Sequence, residues 1–175
     1  MIAKNAFEYA KFHGPSDKTR DLACEEPFWA FCYANEIDKK SHEQTRKAVC
    51  VDPEWAYKYA LKVDCKPRQD TRTAVCKSAI YAYFYALHVD YKSYQETRNM
   101  ACTNPYYAYL YAINVDKCPR DDTRTAACIQ PYWAYFYAKN VDKNICEETM
   151  QAVKNTKYEK DYEKLINLHF KEQII

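Results

Sequence analysis

Glycine is almost missing from this chain: one residue, Gly14, in 175. A loop that cradles phosphate needs several glycines so that backbone amides can approach the anion, and one glycine excludes that class of site. β-branched residues are few beside Ala, Tyr, Lys and Glu, which excludes a mainly sheet architecture and points to helices joined by short connections. No apolar run approaches the roughly 20 residues that span a bilayer. The opening segment, Met-Ile-Ala-Lys-Asn-Ala-Phe-Glu-Tyr, lacks the apolar stretch of a secretory signal, so a cytoplasmic location is expected and no membrane partner. An excess of charge of one sign is also lacking. The net charge is +2 with acids spread among bases, which argues against nucleic acid and anionic lipid as partners. Gly-x-Ser-x-Gly, His-x-x-x-His and metal-spaced clusters are absent as well. Like residues repeated along a line do not converge in an asymmetric pocket, so no catalytic residue, no enzyme activity, no metal and no cofactor are expected.

What the chain has instead is a register of 26 residues. Thr-Arg recurs at Thr19-Arg20, Thr45-Arg46, Thr71-Arg72, Thr97-Arg98 and Thr123-Arg124, each followed by Cys24, Cys50, Cys76, Cys102 or Cys128. In the same phase come an aromatic (Trp29, Trp55, Tyr81, Tyr107, Trp133), a Tyr-Ala step ending at Ala34, Ala60, Ala86, Ala112 and Ala138, and an acid at Asp38, Asp64, Asp90, Asp116 and Asp142. Such self-similarity marks stacked supersecondary units.

Nine cysteines suggest disulfides or zinc, but five occupy one column of the register. Equivalent positions on stacked helices lie about 8–10 Å apart. A disulfide needs Cα atoms within about 7 Å, and zinc draws its thiolates to about 2.3 Å. No Cys-x-x-Cys pair occurs, so the column reads as small, reduced packing residues.

The second unit shows how a repeat folds. Ser41 with Gln44 has capping-box spacing, and Pro67, Ser93 and Pro119 follow in its column. Asp52-Pro53 then supplies an N-cap and a proline at the first helical position of a second helix. Thr45, Ala48 and Val49 form the inner face of the first helix, and Ala56, Tyr59, Ala60 and Val63 that of the second. The expected fold is an all-α solenoid of about six 26-residue helical hairpins forming a single repeat domain over 1–175. It divides into a degenerate N-terminal unit (1–15), five hairpins (16–142) and a C-terminal cap (143–175). The last segment keeps Thr149 but loses the Arg, Cys and Pro. It is expected to run as one helix from Glu147 to about Phe170, with Met150, Val153, Tyr158, Leu165, Ile166 and Phe170 over the core.

A half-buried guanidinium or carboxylate left unpaired costs several kcal/mol, so the Arg and Asp columns should pair. Arg46 can bind Asp38 or Asp64, and repetition makes a structural ladder of Arg46, Arg72, Arg98 and Arg124 with Asp38, Asp64, Asp90 and Asp116. The other use of such a column is a row of cations presented to phosphates.

Function in a solenoid lies where repeats disagree. Phe84, Leu87, Leu110, Ile113 and Phe136, with Tyr83, Tyr109 and Tyr135 beside them, predict an exposed aromatic and aliphatic strip on the second-helix face. A strip of that size implies another protein or self-association, while the plainer reading buries it by superhelical curvature. The alternative partner is single-stranded nucleic acid or a nucleotide, with Tyr and Trp stacking on bases and Arg tracking the backbone.

The unit Asp121 to Ala138, Asp-Asp-Thr-Arg-Thr-Ala-Ala-Cys-Ile-Gln-Pro-Tyr-Trp-Ala-Tyr-Phe-Tyr-Ala, resembles a family of short helical-hairpin repeats of unknown function found in phages, giant viruses and protists. The shared features are an acidic opener, an Ala-Val/Ala step, a turn and an Ala-x-x-Tyr-Ala block, over roughly Ser16 to Asp142. The Pro turn, the Cys column and the 26-residue period depart from that pattern. The resemblance carries no catalytic or ligand-binding residues. With the richness in Lys, Asn, Tyr and Ile, it implies a phage-encoded accessory protein of the host cytoplasm, an adaptor or an inhibitor that blocks a host defence protein.

If the Arg column is structural, Arg72→Ala and Arg98→Ala will each lower the melting temperature well below that of Lys47→Ala, measured by circular dichroism. Equal and negligible shifts in all three would assign the column to a ligand.

Overall fold

The computed structural model describes residues 2–172, with side chains as far as Asn167. Every described element is helical, and the helices come in repeated pairs. The chain divides into two compact units, Met1–Tyr91 and Lys92–Ile175.

The N-terminal unit opens with α1 (Ile2–His13), which buries Ala3, Ala6, Phe7 and Ala10 and ends at Gly14. The one glycine sits at φ 85°, where other side chains are strained, and its amide donates to the Ala10 carbonyl at 2.9 Å. Three hairpins follow: α2 (Asp17–Ala23) with α3 (Pro27–Cys32), α4 (Glu43–Val49) with α5 (Pro53–Tyr59), and α6 (Gln69–Val75) with α7 (Ala79–Tyr85). First helices lie beside first helices, as α2 does beside α4, and α1, α3, α5 and α7 lie in a second row. The C-terminal unit repeats this with α8 (Gln95–Ala101) and α9 (Pro105–Tyr111), then α10 (Asp121–Cys128) and α11 (Pro131–Tyr137), then α12 (Glu147–Val153) and α13 (Glu159–Glu172).

Except for α1 and α13, these helices have six to eight residues, far below the roughly 12–15 at which an isolated helix becomes marginal in water. Packing must hold them. The inner faces are those the 3.6-residue period predicts: Thr45, Val49, Ala56, Tyr59 and Ala60 are fully buried, and Ala48 and Val63 half-buried.

One hydrogen-bond knot closes each hairpin. The Tyr59 hydroxyl from the second helix meets Thr45 Oγ1 of the first at 2.8 Å and accepts the His42 amide at 3.0 Å, while Thr45 donates to the His42 carbonyl at 3.0 Å. Thr19 with Tyr33, Thr71 with Tyr85, Thr97 with Tyr111 and Thr123 with Tyr137 repeat the contact at 2.7–2.9 Å. A residue from the partner helix therefore satisfies the first amide of the hairpin. This relocates the expected caps: His42 and Tyr94 stand at the N-cap in place of Ser41 and Ser93, and Arg68 and Arg120 follow Pro67 and Pro119 there. The second helices start as the sequence implies, with Asp52 accepting from the Glu54 and Trp55 amides at 2.8 and 3.2 Å.

The second helices of the first five hairpins each widen into a π turn that ends on an acid: Tyr33–Asp38, Ala60–Asp64, Ala86–Asp90, Ala112–Asp116 and Ala138–Asp142. The next residue, Lys39, Cys65, Tyr91, Lys117 or Lys143, is left-handed at φ 50–56°. Helices usually place glycine there, and this chain does without it.

The C-terminal segment differs from expectation. It is a sixth hairpin, not one helix, because Asn155 turns left-handed at φ 59° and the Thr156 hydroxyl accepts the Tyr158 amide at 3.2 Å. Tyr162 then meets Thr149 at 2.8 Å and takes the place of the column tyrosine. Val153 is buried, Tyr158, Leu165 and Ile166 are half-buried and Met150 is exposed, while the Phe170 side chain lies outside the described residues.

Tyr111→Phe leaves the buried Tyr94 amide and Thr97 hydroxyl short of a partner and should cost about 1–3 kcal/mol in urea unfolding. Thr97→Val added to it should cost less than the sum of the single changes by roughly 0.5 kcal/mol or more, since the two share one network. Strict additivity would show that the two hydroxyls do not support each other.

Candidate functional site

The Arg and Asp columns meet, but not as one uniform ladder. Arg20 grips Asp38 with two bonds of 2.8 Å, Nε and Nη2 to the two carboxylate oxygens, and its Nη1 reaches Asp17 at 2.6 Å. Arg72 holds Asp90 in the same way at 3.0 and 2.6 Å, and Arg124 holds Asp142 at 2.8–3.2 Å. In these three repeats the arginine binds the acid that ends its own hairpin.

In the repeats between them the arginine crosses to the following hairpin. Arg46 Nε donates to Asp70 at 2.7 Å, not to Asp38 or Asp64, and Arg98 Nε donates to Asp122 at 2.8 Å with Asp116 farther away at 3.4 Å. The reason is competition. Arg68 takes Asp64 at 3.0 Å and Arg120 lies 3.3 Å from Asp116, so each acid is claimed by the arginine four residues after it. Ser41 and Ser93 accept from the redirected Arg46 and Arg98 at 3.0 and 2.8 Å, and Gln95 also bonds Arg98. Arg46→Asp70 and Arg68→Asp64 thus form a reciprocal staple between two hairpins of the N-terminal unit, and Arg98→Asp122 with Arg120→Asp116 forms one in the C-terminal unit.

The signal for this alternation is visible in the chain. Pro-Arg-x-Asp-Thr-Arg-Thr-Ala occurs at Pro67 to Ala74 and two repeats later at Pro119 to Ala126, while Ser41 and Ser93 open the other pair. The bonds from Asp38 and Asp142 raise the pKa of Arg20 and Arg124. Burial pushes the Asp70 and Asp122 carboxyls up, but bonds from Arg46 and Arg98 outweigh it and leave both below the ordinary aspartate value.

The strip expected on the second-helix face is partly covered. Tyr83 is buried, and Phe84, Leu87, Tyr109, Leu110, Ile113, Tyr135 and Phe136 are half-buried. Rings of neighbouring second helices cover them: Tyr57 stacks on Phe84 at 5.9 Å, Trp133 on Tyr109 at 5.5 Å and Tyr158 on Tyr135 at 6.2 Å. These positions form seams between repeats. The more exposed rings lie one turn earlier, just after the proline that opens α3, α9 and α11, where Phe28, Tyr106 and Tyr132 are 40, 39 and 41% exposed. In the C-terminal unit Tyr106 and Tyr132 lie 4.7 and 4.5 Å from Trp133, and Tyr132 packs on Phe136 at 4.7 Å and on Tyr158 at 5.7 Å. The result is a continuous surface of rings on α9, α11 and the start of α13. In the sequence this surface is masked, because Phe28, Glu54, Ile80, Tyr106 and Tyr132 share a column that turns aromatic only at its two ends.

The cysteines are free, and the five of the column are half-buried at the seams, with Cys24, Cys50 and Cys128 packed against apolar clusters. Among the described residues no group of His, Cys, Asp and Glu is placed to hold a metal ion, and no helix is long and apolar enough to cross a membrane. Comparison with protein-family models, with characterised proteins and with solved structures found no match.

Burial, with acidic neighbours adding to it, pushes the Cys24 and Cys50 thiols up to about 11 and those of Cys102 and Cys128 up to about 12. A raised thiol pKa means less thiolate at neutral pH and slower alkylation. Iodoacetamide at pH 7.5 should modify the exposed Cys65 and Cys118 first, and Cys24, Cys50, Cys102 and Cys128 should react only in denaturant or as pH climbs toward those values. Peptide mass mapping checks this, and rapid native labelling of Cys102 or Cys128 would show an open seam.

Proposed function

We propose that the protein is a non-catalytic repeat scaffold that binds another protein through the aromatic edge of its second helices. The observation that supports this reading is the ring surface of the C-terminal unit, where Tyr106 and Tyr132 stand about two-fifths exposed over Trp133. Rigid, part-exposed Tyr and Trp bring large contact area at small entropic cost and anchor protein interfaces. The polar columns are engaged within the fold, so specificity falls to side chains that differ between repeats. The resemblance to viral and protist hairpin repeats extends the reading to a cytoplasmic phage protein that blocks a host defence protein.

Single-stranded nucleic acid is the weaker reading, because the arginines it would use are tied to carboxylates and the net charge is small.

Tyr106→Ser with Tyr132→Ser should leave the far-ultraviolet circular dichroism intact and abolish retention of a host-lysate protein that the unchanged chain captures, read by mass spectrometry. Equal capture by both would remove the aromatic edge from consideration. Tight oligonucleotide binding on filters, falling steeply with salt, would replace the protein partner by nucleic acid.

A further inference from the structure

In the N-terminal unit α1 packs beside α3 in the row of second helices, and α2 packs beside α4 in the row of first helices. Among the described residues the place beside α1 and α2 is open. It forms a groove of about 500 Å³, lined by Ile2, Ala6 and Tyr9 from α1 and by Lys18, Thr19 and Leu22 from α2. Ile2 and Tyr9 are 58 and 57% exposed on a helix whose other face, Ala3, Phe7 and Ala10, is buried. So α1 buries one face and leaves Ile2 and Tyr9 exposed on the groove side, with the buried Ala6 between them and Asn5 alongside.

The interior of the same unit shows what fits there. The equivalent place beside α3 and α4 is filled by α2, and the one beside α5 and α6 lies against α4, whose Arg46 reaches Asp70 at 2.7 Å. The occupant in each case is a short amphipathic helix with a face of Thr, Ala and Val or Leu. The open groove thus continues an interface that the fold already uses. Its charge is reversed. Lys18 holds the register position of Asp70 and Asp122, the acids that accept from the arginine of the preceding first helix. Lys18 is exposed, and among the described residues no acid pairs with it. A Thr-Arg helix from a second copy would set arginine against lysine, whereas a helix with an acid at that place would pair.

We propose that the α1–α2 groove is a docking site for an amphipathic helix of another protein, one that lays small apolar side chains on Ile2, Ala6, Tyr9 and Leu22 and presents a carboxylate to Lys18. This site is separate from the aromatic edge of α9 and α11 and does not depend on it.

The test uses the full chain and two fluorescein-labelled, hydrocarbon-stapled peptides with the sequence of residues 41–51, Cys50 replaced by serine in both. One peptide keeps Arg46 and the other carries Arg46→Glu. By fluorescence anisotropy the Glu peptide should bind at least ten-fold more tightly than the Arg peptide. Lys18→Glu, an exposed change that leaves the circular dichroism spectrum intact, should reverse that order, and Leu22→Arg should lose both. Absence of binding by either peptide, or the same order of affinity in Lys18→Glu as in the unchanged chain, overturns the proposal. Sedimentation of the protein alone separates the remaining occupant: a dimer that Leu22→Arg converts to monomer assigns the groove to a second copy and also overturns it.

Discussion

The interaction on which the rest depends is the buried hydroxyl knot between a threonine at the start of one helix and a tyrosine near the end of the next. Six Thr–Tyr contacts of 2.7–2.9 Å recur, and the threonines and tyrosines of the five regular repeats are nearly or fully shielded from solvent. A helix of seven residues cannot hold its own first turn, and an unsatisfied buried amide costs about 1–3 kcal/mol. Here the amide is satisfied from outside the helix. Neither half of a hairpin is complete alone, which makes the hairpin the smallest unit with its polar groups paired.

Because tyrosine supplies the cap, the N-cap side chain is released from that duty after the first hairpin, where Ser16 still accepts the Thr19 amide, and the column shows it: Ser16, His42, Arg68, Tyr94, Arg120 and Cys146. Two of the six are arginines, and those two divert the ladder. Where Arg68 and Arg120 seize the acid at the end of the preceding hairpin, Arg46 and Arg98 must turn to Asp70 and Asp122. Buried ion pairs contribute little net stability against apolar replacements but strongly penalise mispairing. Asp64 and Asp116 each keep one buried oxygen without a hydrogen-bond partner, a cost absent from the two-bond grip on Asp90. In near-identical repeats, such uneven pairing penalises hairpins that pack out of order.

Period, helix class and inner faces were legible in the sequence because each is a local pattern repeated five times. The hydroxyl knots were half legible. Thr45 and Tyr59 read as core by spacing, but the bond between them needs the angle at which the helices close, which no single helix encodes. The alternation was present as the recurring Pro-Arg-x-Asp and went unseen because attention to a 26-residue period averages over pairs of repeats. The C-terminal break was not legible: it rests on Asn155 and Thr156, just ahead of Lys157, which stands in the proline column. The partial cover of the strip has a geometric cause: Phe84 meets a ring of the preceding second helix, and Tyr109 and Tyr135 meet rings of the hairpin that follows, so residues one turn earlier carry the more exposed rings.

The near absence of glycine belongs to the same economy. Each of the five regular hairpins leaves its second helix through a π turn and a left-handed residue that is Lys, Cys or Tyr, positions at which glycine would relieve strain. The strain is tolerated because the acid just before it is anchored, in every regular repeat, by an arginine. Ladder and turn therefore support each other, and together with the hydroxyl knots they consume the columns on which the repeats agree. The proposed recognition therefore falls to what is left over: the part-exposed rings of α9 and α11, and the groove between α1 and α2.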